Sequence, residues 1–266
     1  MRVDLAIPVN YMLGSDRATV SLNTLLGSCL QLRYSGEICC VHCGRKTKKS
    51  FNQGYCFPCV RRLAQCDICI VSPERCHFDQ GSCREPDWAA NHCMTDHIVY
   101  LANTSGLKVG ITRVTQLPVR WIDQGAVQAL PVLRVTTRYQ AGLAEIILGK
   151  YVSDKTDWRK MLKGEPEPVA LNDMRDQLLY TCRDELAQLT DRFGIQAIRP
   201  LTDETPTSIN YPVMTYPEKV SSLNLDKTPL IEGNLMGIKG QYLMLDTGVL
   251  NVRKYAGYHV EVRQTG

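Results

Sequence analysis

Four cysteines between residues 40 and 59 form two C-x-x-C pairs, in the segment CVHCGRKTKKSFNQGYCFPC. They are Cys40, Cys43, Cys56 and Cys59, which give the pattern C-x2-C-x12-C-x2-C. At this spacing, two tight turns can each present a pair of thiolates to one tetrahedral zinc ion. Because four thiolates leave no open coordination position, the pattern predicts a structural Zn²⁺ that folds the segment, not a catalytic one.

A second cysteine-rich stretch follows, and it offers enough ligands for another zinc ion. Its candidates are Cys66, Cys69, Cys76, Cys83 and Cys93. Cys66 and Cys69 form a further C-x-x-C pair and are the natural first half of such a site. Spacing alone leaves the second half open, because three cysteines remain and Cys93 with His97 also forms a C-x3-H pair. The histidines in reserve are His77, His92 and His97.

The cellular compartment bears on how these thiols are used. The start of the chain, MRVDLAIPVNYML, contains Asp4 and lacks the apolar run of a signal peptide. No stretch reaches the roughly 18 to 20 apolar residues of a membrane span, so we expect a cytoplasmic protein without a membrane partner. Thiols stay reduced there, which favours metal ligation over disulfides. A thiol-redox enzyme is disfavoured, since metal binding silences C-x-x-C pairs.

Basic and aromatic side chains surround the first two cysteine pairs. The six cations are Arg45, Lys46, Lys48, Lys49, Arg61 and Arg62, and residues 40–62 contain no acidic residue. The formal net charge of the chain is only +4, so this charge is local. Phe51, Tyr55 and Phe57 lie between the cations, which would allow phosphate contacts and base stacking from one surface. The pattern favours nucleic acid, with RNA preferred; the alternative is a solvated basic loop.

The chain then changes to alternating strands and helices. Residues 98–102 and 107–112 are β-prone and are separated by the turn cluster NTSG. A helical pattern follows in LPVRWIDQGAVQAL, then a strand in LPVLRVTT and an apolar-rich helix in YQAGLAEIILGKYV. The predicted order is β-β-α-β-α.

This segment resembles the GIY-YIG nuclease superfamily, in the divergent branch whose second motif reads K-[IV]-G-x-T. The likeness lies in VYLA, KVGIT, an arginine in the next helix and a glutamate in the following helix. With the cysteine module, the chain also resembles an uncharacterised family that joins zinc knuckles to such a domain. The resemblance implies that Tyr100 positions the attacking water, Arg120 holds the scissile phosphate and Glu145 binds Mg²⁺ or Mn²⁺.

Two positions depart from the family motifs. Ile98 stands where the first glycine belongs, and Lys108 replaces the second tyrosine and can bind phosphate instead. Arg113 is a rival to Arg120, which lies further from the second motif than the family spacing predicts. Tyr100 can equally serve packing, and Glu145 can be a solvated helix carboxylate. A domain that keeps the fold and binds phosphate without cutting is therefore the preferred interpretation.

We expect an α+β fold class, with the zinc-ribbon module followed by the GIY-YIG-like domain. Because a small sheet is marginal alone, the N- and C-terminal β segments should form one small barrel or sandwich. QLRYSGEI and YLMLDTGVL share a strand, turn, strand pattern, and one amphipathic helix is predicted from Asn172 to Phe193. The predicted segments are an N-terminal β segment (1–36), the zinc-binding module (37–95), the GIY-YIG-like domain with a helical extension (96–199), a linker (200–217) and a C-terminal β segment (218–266).

Further polar and aromatic residues can line a groove of this domain or act as core and cap residues. They are Trp121, Asp123, Gln124, Asp154, Lys155, Trp158 and Arg159. The combined prediction is a zinc protein that binds structured RNA such as ribosomal or transfer RNA. The alternatives are a divergent metal-dependent nuclease using Tyr100, Arg120 and Glu145, or a protein-interaction adaptor braced by its zinc knuckles. A steep salt dependence of nucleic-acid binding would count against the adaptor.

Overall fold

The computed structural model describes residues 1–15, 18–153 and 155–265, and it confirms the α+β fold class. The strands are β1 (Arg2–Asp4), β2 (Asn10–Ser15), β3 (Ala18–Ser21), β4 (Cys29–Cys39), β5 (Lys46–Thr47), β6 (His97–Asn103), β7 (Leu107–Arg113), β8 (Gln128–Val135), β9 (Ile198–Pro200), β10 (Thr207–Ser208), β11 (Leu230–Lys239), β12 (Tyr242–Leu245), β13 (Gly248–Asn251) and β14 (Tyr258–Thr265). The α-helices are α1 (Phe57–Arg62), α2 (Pro86–His92), α3 (Val119–Asp123), α4 (Arg138–Leu148), α5 (Trp158–Met161), α6 (Leu171–Thr181) and α7 (Arg183–Phe193).

Residues 97–148 form the expected β-β-α-β-α unit, in the order β6, β7, α3, β8 and α4. Its sheet is antiparallel with the order β10-β8-β6-β7, and β9 also pairs with β8. All seven residues of β6 are buried, because this strand has a neighbour on each edge and a core on each face. In its register with β7, Tyr100 lies opposite Gly110.

Helices α4, α6 and α7 cover one face of this sheet and bury Val99, Leu101 and their neighbours. Helix α4 begins with a capping box, in which Thr137 and Gln140 satisfy each other's backbone N–H groups. The single helix predicted from Asn172 to Phe193 is wrong in one respect. It breaks at Cys182, which is fully buried and ends α6 before α7 begins.

Strand β4, from the N-terminal part of the chain, joins the C-terminal strands in a six-stranded sheet, which has the order β13-β12-β11-β4-β14 and β5 paired with β4 as its sixth strand. Strands β1, β2 and β3 form a separate three-stranded sheet. The prediction that the N- and C-terminal β segments form one small barrel or sandwich is confirmed, because β4 pairs with β11 and β14 and residues of β1 and β2 share their core. The strand, turn, strand pattern in QLRYSGEI is wrong, because Cys29–Cys39 is one continuous strand. Its backbone groups are paired by β11, β14 and β5 along its length, so no turn interrupts it.

The six-stranded sheet packs against the second face of the β-β-α-β-α unit. Ile98, Tyr100 and Trp121 share one hydrophobic core with residues of β4 and β11, such as Leu32 and Leu235. The segment 200–217, expected as a linker, is also part of this body. β10 pairs with β8, and Ile209 and Tyr211 are buried. None of the described helices is both long and apolar enough to cross a membrane.

Candidate metal centre and cationic cleft

Four cysteines come together at the end of β4 to form metal site 1, defined as Cys40, Cys43, Cys56 and Cys59. Their Sγ atoms all lie within 4.8 Å of one another. The first pair lies in a turn closed by the Gly44 N–H, which donates to the Cys40 carbonyl at 2.9 Å. The second pair lies at the first turn of α1 and not in a second tight turn, because Pro58 near the start of that helix favours helical geometry.

The surroundings of Cys40 favour its thiolate form. Burial raises the pKa of Cys40, but backbone N–H groups of Cys43, Cys56 and His42 outweigh burial and lower it to about 6. Burial and the neighbouring thiols instead raise the pKa of Cys59 to about 12. A divalent cation would replace the protons that such crowded thiols otherwise keep. The geometry and the donor set therefore fit one tetrahedral zinc.

Cys66 belongs with metal site 1 and not with the other downstream cysteines. It packs against the buried cluster that contains Cys40, Cys56, Cys59 and Leu63. The C-x-x-C spacing predicted that Cys66 and Cys69 share a second site, but the structure does not bring these two residues together. Cys66 ends the helical turn Ala64–Cys66, whereas Cys69 lies in the next turn, Ile68–Ile70, and lines a different cavity.

The remaining four downstream cysteines, called here the second thiol group, line one small cavity. They are Cys69, Cys76, Cys83 and Cys93. His77 lines the same cavity, while His92 stacks on Trp88 at 4.2 Å. His97 lies in β6, where its Nδ1 is 2.7 Å from the Thr95 carbonyl oxygen. His97 does not line the cavity that contains Cys93, and no group of described ligand atoms within 4.8 Å includes either residue, so the C-x3-H pairing of Cys93 with His97 is not assembled.

A cleft of about 640 Å³ separates the cysteine-rich segment from the β-β-α-β-α unit, and we call it the cationic cleft. Asn52, Gln53 and Tyr55 form part of one wall. Its five cationic residues are Lys108, Arg113, Arg120, Arg138 and Arg253. Among the described lining residues, Glu145 is the single carboxylate, so the cleft carries a net positive charge.

Tyr100, Arg120 and Glu145 come together at this cleft, as the GIY-YIG resemblance implies. Tyr100 is fully buried beneath the cleft, and its hydroxyl donates to Gln124 Oε1 at 2.7 Å. Burial raises the pKa of Tyr100 to about 12, although Arg120 opposes the shift and Glu145 adds to it. Tyr100 therefore stays a neutral hydroxyl that orients Arg120 and Gln124.

Gly110 is required by the close approach of the Tyr100 ring. A Cβ atom at residue 110 would lie 2.7 Å from the Tyr100 hydroxyl oxygen. Lys108, Gly110 and Thr112 are every second residue of β7, so they share the face of the strand that lines the cleft. Arg113, at the end of β7, lies opposite His97, so Arg120 is the arginine nearer to Tyr100.

Two arginines of the cleft were not among the sequence-predicted residues. Arg138 opens α4, and its Nη2 donates to the Ile70 carbonyl at 2.5 Å. Arg253 comes from the helical turn Val252–Tyr255, and its Nε donates to Gln53 Oε1 at 2.6 Å. The adjacent basic pair Arg253-Lys254 between two predicted tail strands was the available signal. Arg138 gave none, because an arginine at a helix start is commonplace.

The six predicted basic residues of the cysteine module are all exposed. Lys46 pairs with Glu37 at 3.3 Å, which reduces its availability. Lys48 and Lys49 line a second groove of about 570 Å³, together with Lys254. Gln53 lines both this groove and the cationic cleft, so the two are adjacent.

Phe51 and Phe57 form an aromatic pair at the surface of the module, in which Phe51 is half-buried and Phe57 exposed, whereas Tyr55 packs against metal site 1. The Phe51 and Phe57 ring centroids are 5.6 Å apart. Lys49 lies over Phe51 and Arg61 over Phe57. Phe57 is 53% exposed and leaves ring area open for stacking.

The predicted groove tryptophans have packing roles instead. Trp121 is 5% exposed, and Trp158 stacks on Tyr242. Of the polar candidates, Gln124 lines the cleft, whereas Asp123 pairs with Gln241. Asp154 lies outside the described residues.

Comparison with known proteins gives one result. No curated protein and no solved structure matches this chain. A family model described as "Protein of unknown function (DUF2797)" matches residues 27–260. That range includes both cysteine groups, the β-β-α-β-α unit and most of the six-stranded sheet. The chain therefore belongs to the DUF2797 family.

Proposed function

We propose that this protein binds nucleic acid, and structured RNA in preference to DNA, across the cationic cleft. The observation that carries the proposal is the lining of that cleft, with five cationic side chains against one carboxylate. Arg113, Arg120 and Arg138 come from the β-β-α-β-α unit, and Arg253 from the C-terminal segment. A concave surface with this charge attracts phosphate and releases counterions on binding.

The surface next to the cleft supports a polynucleotide over a small anion. The Lys48, Lys49 and Lys254 groove continues from the cleft at Gln53. Phe51 and Phe57, flanked by Lys49 and Arg61, offer stacking faces beyond it. Unstacked bases of RNA loops and bulges fit such a combination, whereas duplex DNA keeps its bases stacked.

Binding without cleavage is favoured by the chemistry of the cleft. The Tyr100 hydroxyl is buried and donates its proton to Gln124, so this proton is not free to orient an attacking water. The single carboxylate among the described lining residues gives a catalytic metal few ligands. Lys108 places an ammonium group in the cleft lining where the nuclease motif has a hydroxyl, and its side chain is largely buried.

The test is a titration of labelled hairpin RNA, single-stranded RNA and hairpin DNA with the zinc-loaded protein at several salt concentrations. We expect the hairpin RNA to bind tightest and its affinity to fall steeply with salt. Arg120→Gln and Arg253→Gln should each weaken binding roughly tenfold and lower the salt slope by about 1. Arg183→Gln, on exposed α7, is the matched charge control and should leave binding unchanged.

Salt-independent or undetectable binding to all three probes would reject the proposal. It would favour the adaptor alternative, in which the metal module braces a protein-binding scaffold. Equal losses from Arg120→Gln and Arg183→Gln would reject the cleft as the binding surface.

A divergent nuclease is the second candidate, and the convergence of Tyr100, Arg120 and Glu145 favours it. When bound, Mg²⁺ or Mn²⁺ would supply charge stabilisation at phosphate, with Glu145 as its protein ligand. The experiment incubates the same probes with either metal, beside Glu145→Gln. Cleavage that disappears in the variant would establish the nuclease. Probes that bind normally and stay intact would show that the protein binds without cutting.

A further inference from the structure

The second thiol group gathers side chains from four separate pieces of chain. Cys69 lies in the helical turn Ile68–Ile70, Cys76 follows the turn Pro73–Arg75, Cys83 precedes α2 and Cys93 ends it. All four line one cavity of about 20 Å³. Their Sγ atoms do not all lie within 4.8 Å of one another, as those of metal site 1 do, so a zinc ion would draw them closer together. The cavity volume is close to that of a single small sphere, and the remaining wall is largely apolar, with Phe78, Trp88 and Met94.

A second set of possible ligands lies nearby and must be weighed. Ligand atoms of Asp67, Cys69 and His77 lie within 4.8 Å of one another. However, Asp67 Oδ2 already accepts Arg84 Nε at 2.6 Å, and the same oxygen lies 3.6 Å from His77 Nε2. A metal ion at this carboxylate oxygen would have to displace Arg84 from it. By contrast, no lysine or arginine is among the described residues that line the cavity of the second thiol group.

We propose that Cys69, Cys76, Cys83 and Cys93 bind one structural zinc ion, and that neither Cys66 nor His77 is a ligand. Four thiolates suit tetrahedral Zn²⁺. Together with metal site 1, the chain then holds two zinc ions. The proposal does not depend on nucleic-acid binding.

Charge near the cavity agrees with an anionic metal centre. A zinc ion with four thiolates carries a net charge of −2. The Arg138 backbone N–H donates to the Cys93 carbonyl at 2.7 Å, so this arginine begins beside the group. Its Nε atom is buried and has no hydrogen-bond partner among the described residues. An anionic centre nearby compensates that buried guanidinium.

The centre also braces α4, the helix that carries Arg138 and Glu145 to the cleft. Arg138 Nη2 holds the Ile70 carbonyl, next to Cys69. Further along α4, a Cβ at Gly142 would lie 2.6 Å from Pro73 Cβ. The helix is therefore in direct contact with the segment 69–76, which is called here the metal loop. Loss of this zinc should therefore loosen α4 while metal site 1 stays loaded.

The first measurement uses the wild-type protein. Metal analysis should give two zinc ions per chain, and zinc X-ray absorption should show sulfur ligands alone, at about 2.3 Å. One zinc per chain would overturn the proposal. So would a substantial nitrogen or oxygen shell at about 2.0–2.1 Å, which the Asp67, Cys69 and His77 set would give.

Variants then assign the ligands. Cys76→Ser and Cys83→Ser should each lower zinc content from two ions to one, whereas the matched Cys66→Ser and His77→Ala should keep two. Loss of a zinc ion from either matched variant would contradict the assignment. In Cys83→Ser, hydrogen exchange should rise in peptides covering 138–148 and stay unchanged in those covering 29–39; a reversed pattern would remove the bracing role. If these variants do not fold, the wild-type absorption spectrum still decides.

Discussion

At the scale of single residues, the cleft depends on one aromatic ring and one missing side chain. Tyr100 crosses over Gly110 on the neighbouring strand and thereby places its hydroxyl beside Gln124. The same glycine is part of the nuclease-like motif, so its presence has a packing cause that does not require catalysis. The Tyr100–Gly110 pair therefore determines both the packing of the two strands and the position of the Tyr100 hydroxyl.

Gly110→Ala should destabilise the protein by about 1–3 kcal/mol, since the new methyl group overlaps the Tyr100 ring. Chemical denaturation measures the free energy of unfolding. Gly164→Ala is the control, because a Cβ there has nothing within 4 Å. A Gly110→Ala protein as stable as the control would show that the strands separate easily at this point.

His97 should make stability depend on pH. Burial lowers its pKa from 6.5 to about 4. Between these values the unfolded chain binds a proton that the folded chain does not, so stability is lost as the pH falls from about 6.5 towards 4. The loss approaches about 3 kcal/mol. The free energy of unfolding of wild type and of His97→Gln is measured from pH 7.5 to 5. Wild type should lose stability relative to the variant as the pH falls, because only wild type has the buried imidazole. A difference that stays constant with pH would contradict the assignment.

At the scale of elements, α4 links the metal loop to the cleft. Its capping box fixes where the helix begins, and Gly142 allows the turn at Pro73 to approach it. The position of Glu145 one turn later is therefore set by packing against the cysteine-rich segment as well as by the sheet.

Gly142→Ala tests this contact through its sign. In a free helix the change would stabilise by about 1 kcal/mol, but here the methyl group meets Pro73 Cβ, and we expect net destabilisation of about 1–2 kcal/mol. Thermal and chemical unfolding give the values. Gln188→Ala, on the exposed face of α7, should change stability by less than about 0.5 kcal/mol. A Gly142→Ala protein that is more stable than wild type would mean that the turn at Pro73 moves away to make room for the methyl group.

At the scale of the whole molecule, the two ends of the chain fold together. β4 lies between β11 and β14 and ends at Cys39, directly before Cys40 of metal site 1. The Cys39 N–H also donates to the Gly257 carbonyl at 2.8 Å. The C-terminal strands therefore support the first metal site across the full length of the sequence.

A chain ended after residue 217 should lose this support. Hydrogen exchange in peptides covering 29–39 should approach the rate of unfolded chain, because both long partners of β4 are gone. Metal site 1 should also release zinc more readily to a chelator. Peptides covering 183–193 are the internal reference, since α7 packs on the other face of the β-β-α-β-α sheet, away from the removed strands. Retained protection at 29–39 would show that the N-terminal segment folds alone.

The sequence by itself determined the features that depend on near neighbours. The C-x-x-C pairs of metal site 1 act through a turn and one helical turn, whose geometry is local. The β-β-α-β-α order follows from hydrophobic periodicity and turn residues within the same 52 residues, 97–148. The basic loop was also visible, since charge needs no partner to be recognised.

Only the tertiary structure decided which distant groups meet. Spacing could not separate Cys66 from Cys69, because the two residues lie in successive helical turns and their neighbours come from other parts of the chain. Arg253 reaches the cleft from the far end of the sequence, and Arg138 faces it only because α4 packs on the metal loop. Such contacts leave no periodic trace in the sequence, since they arise when separately patterned elements bury their apolar faces against one another.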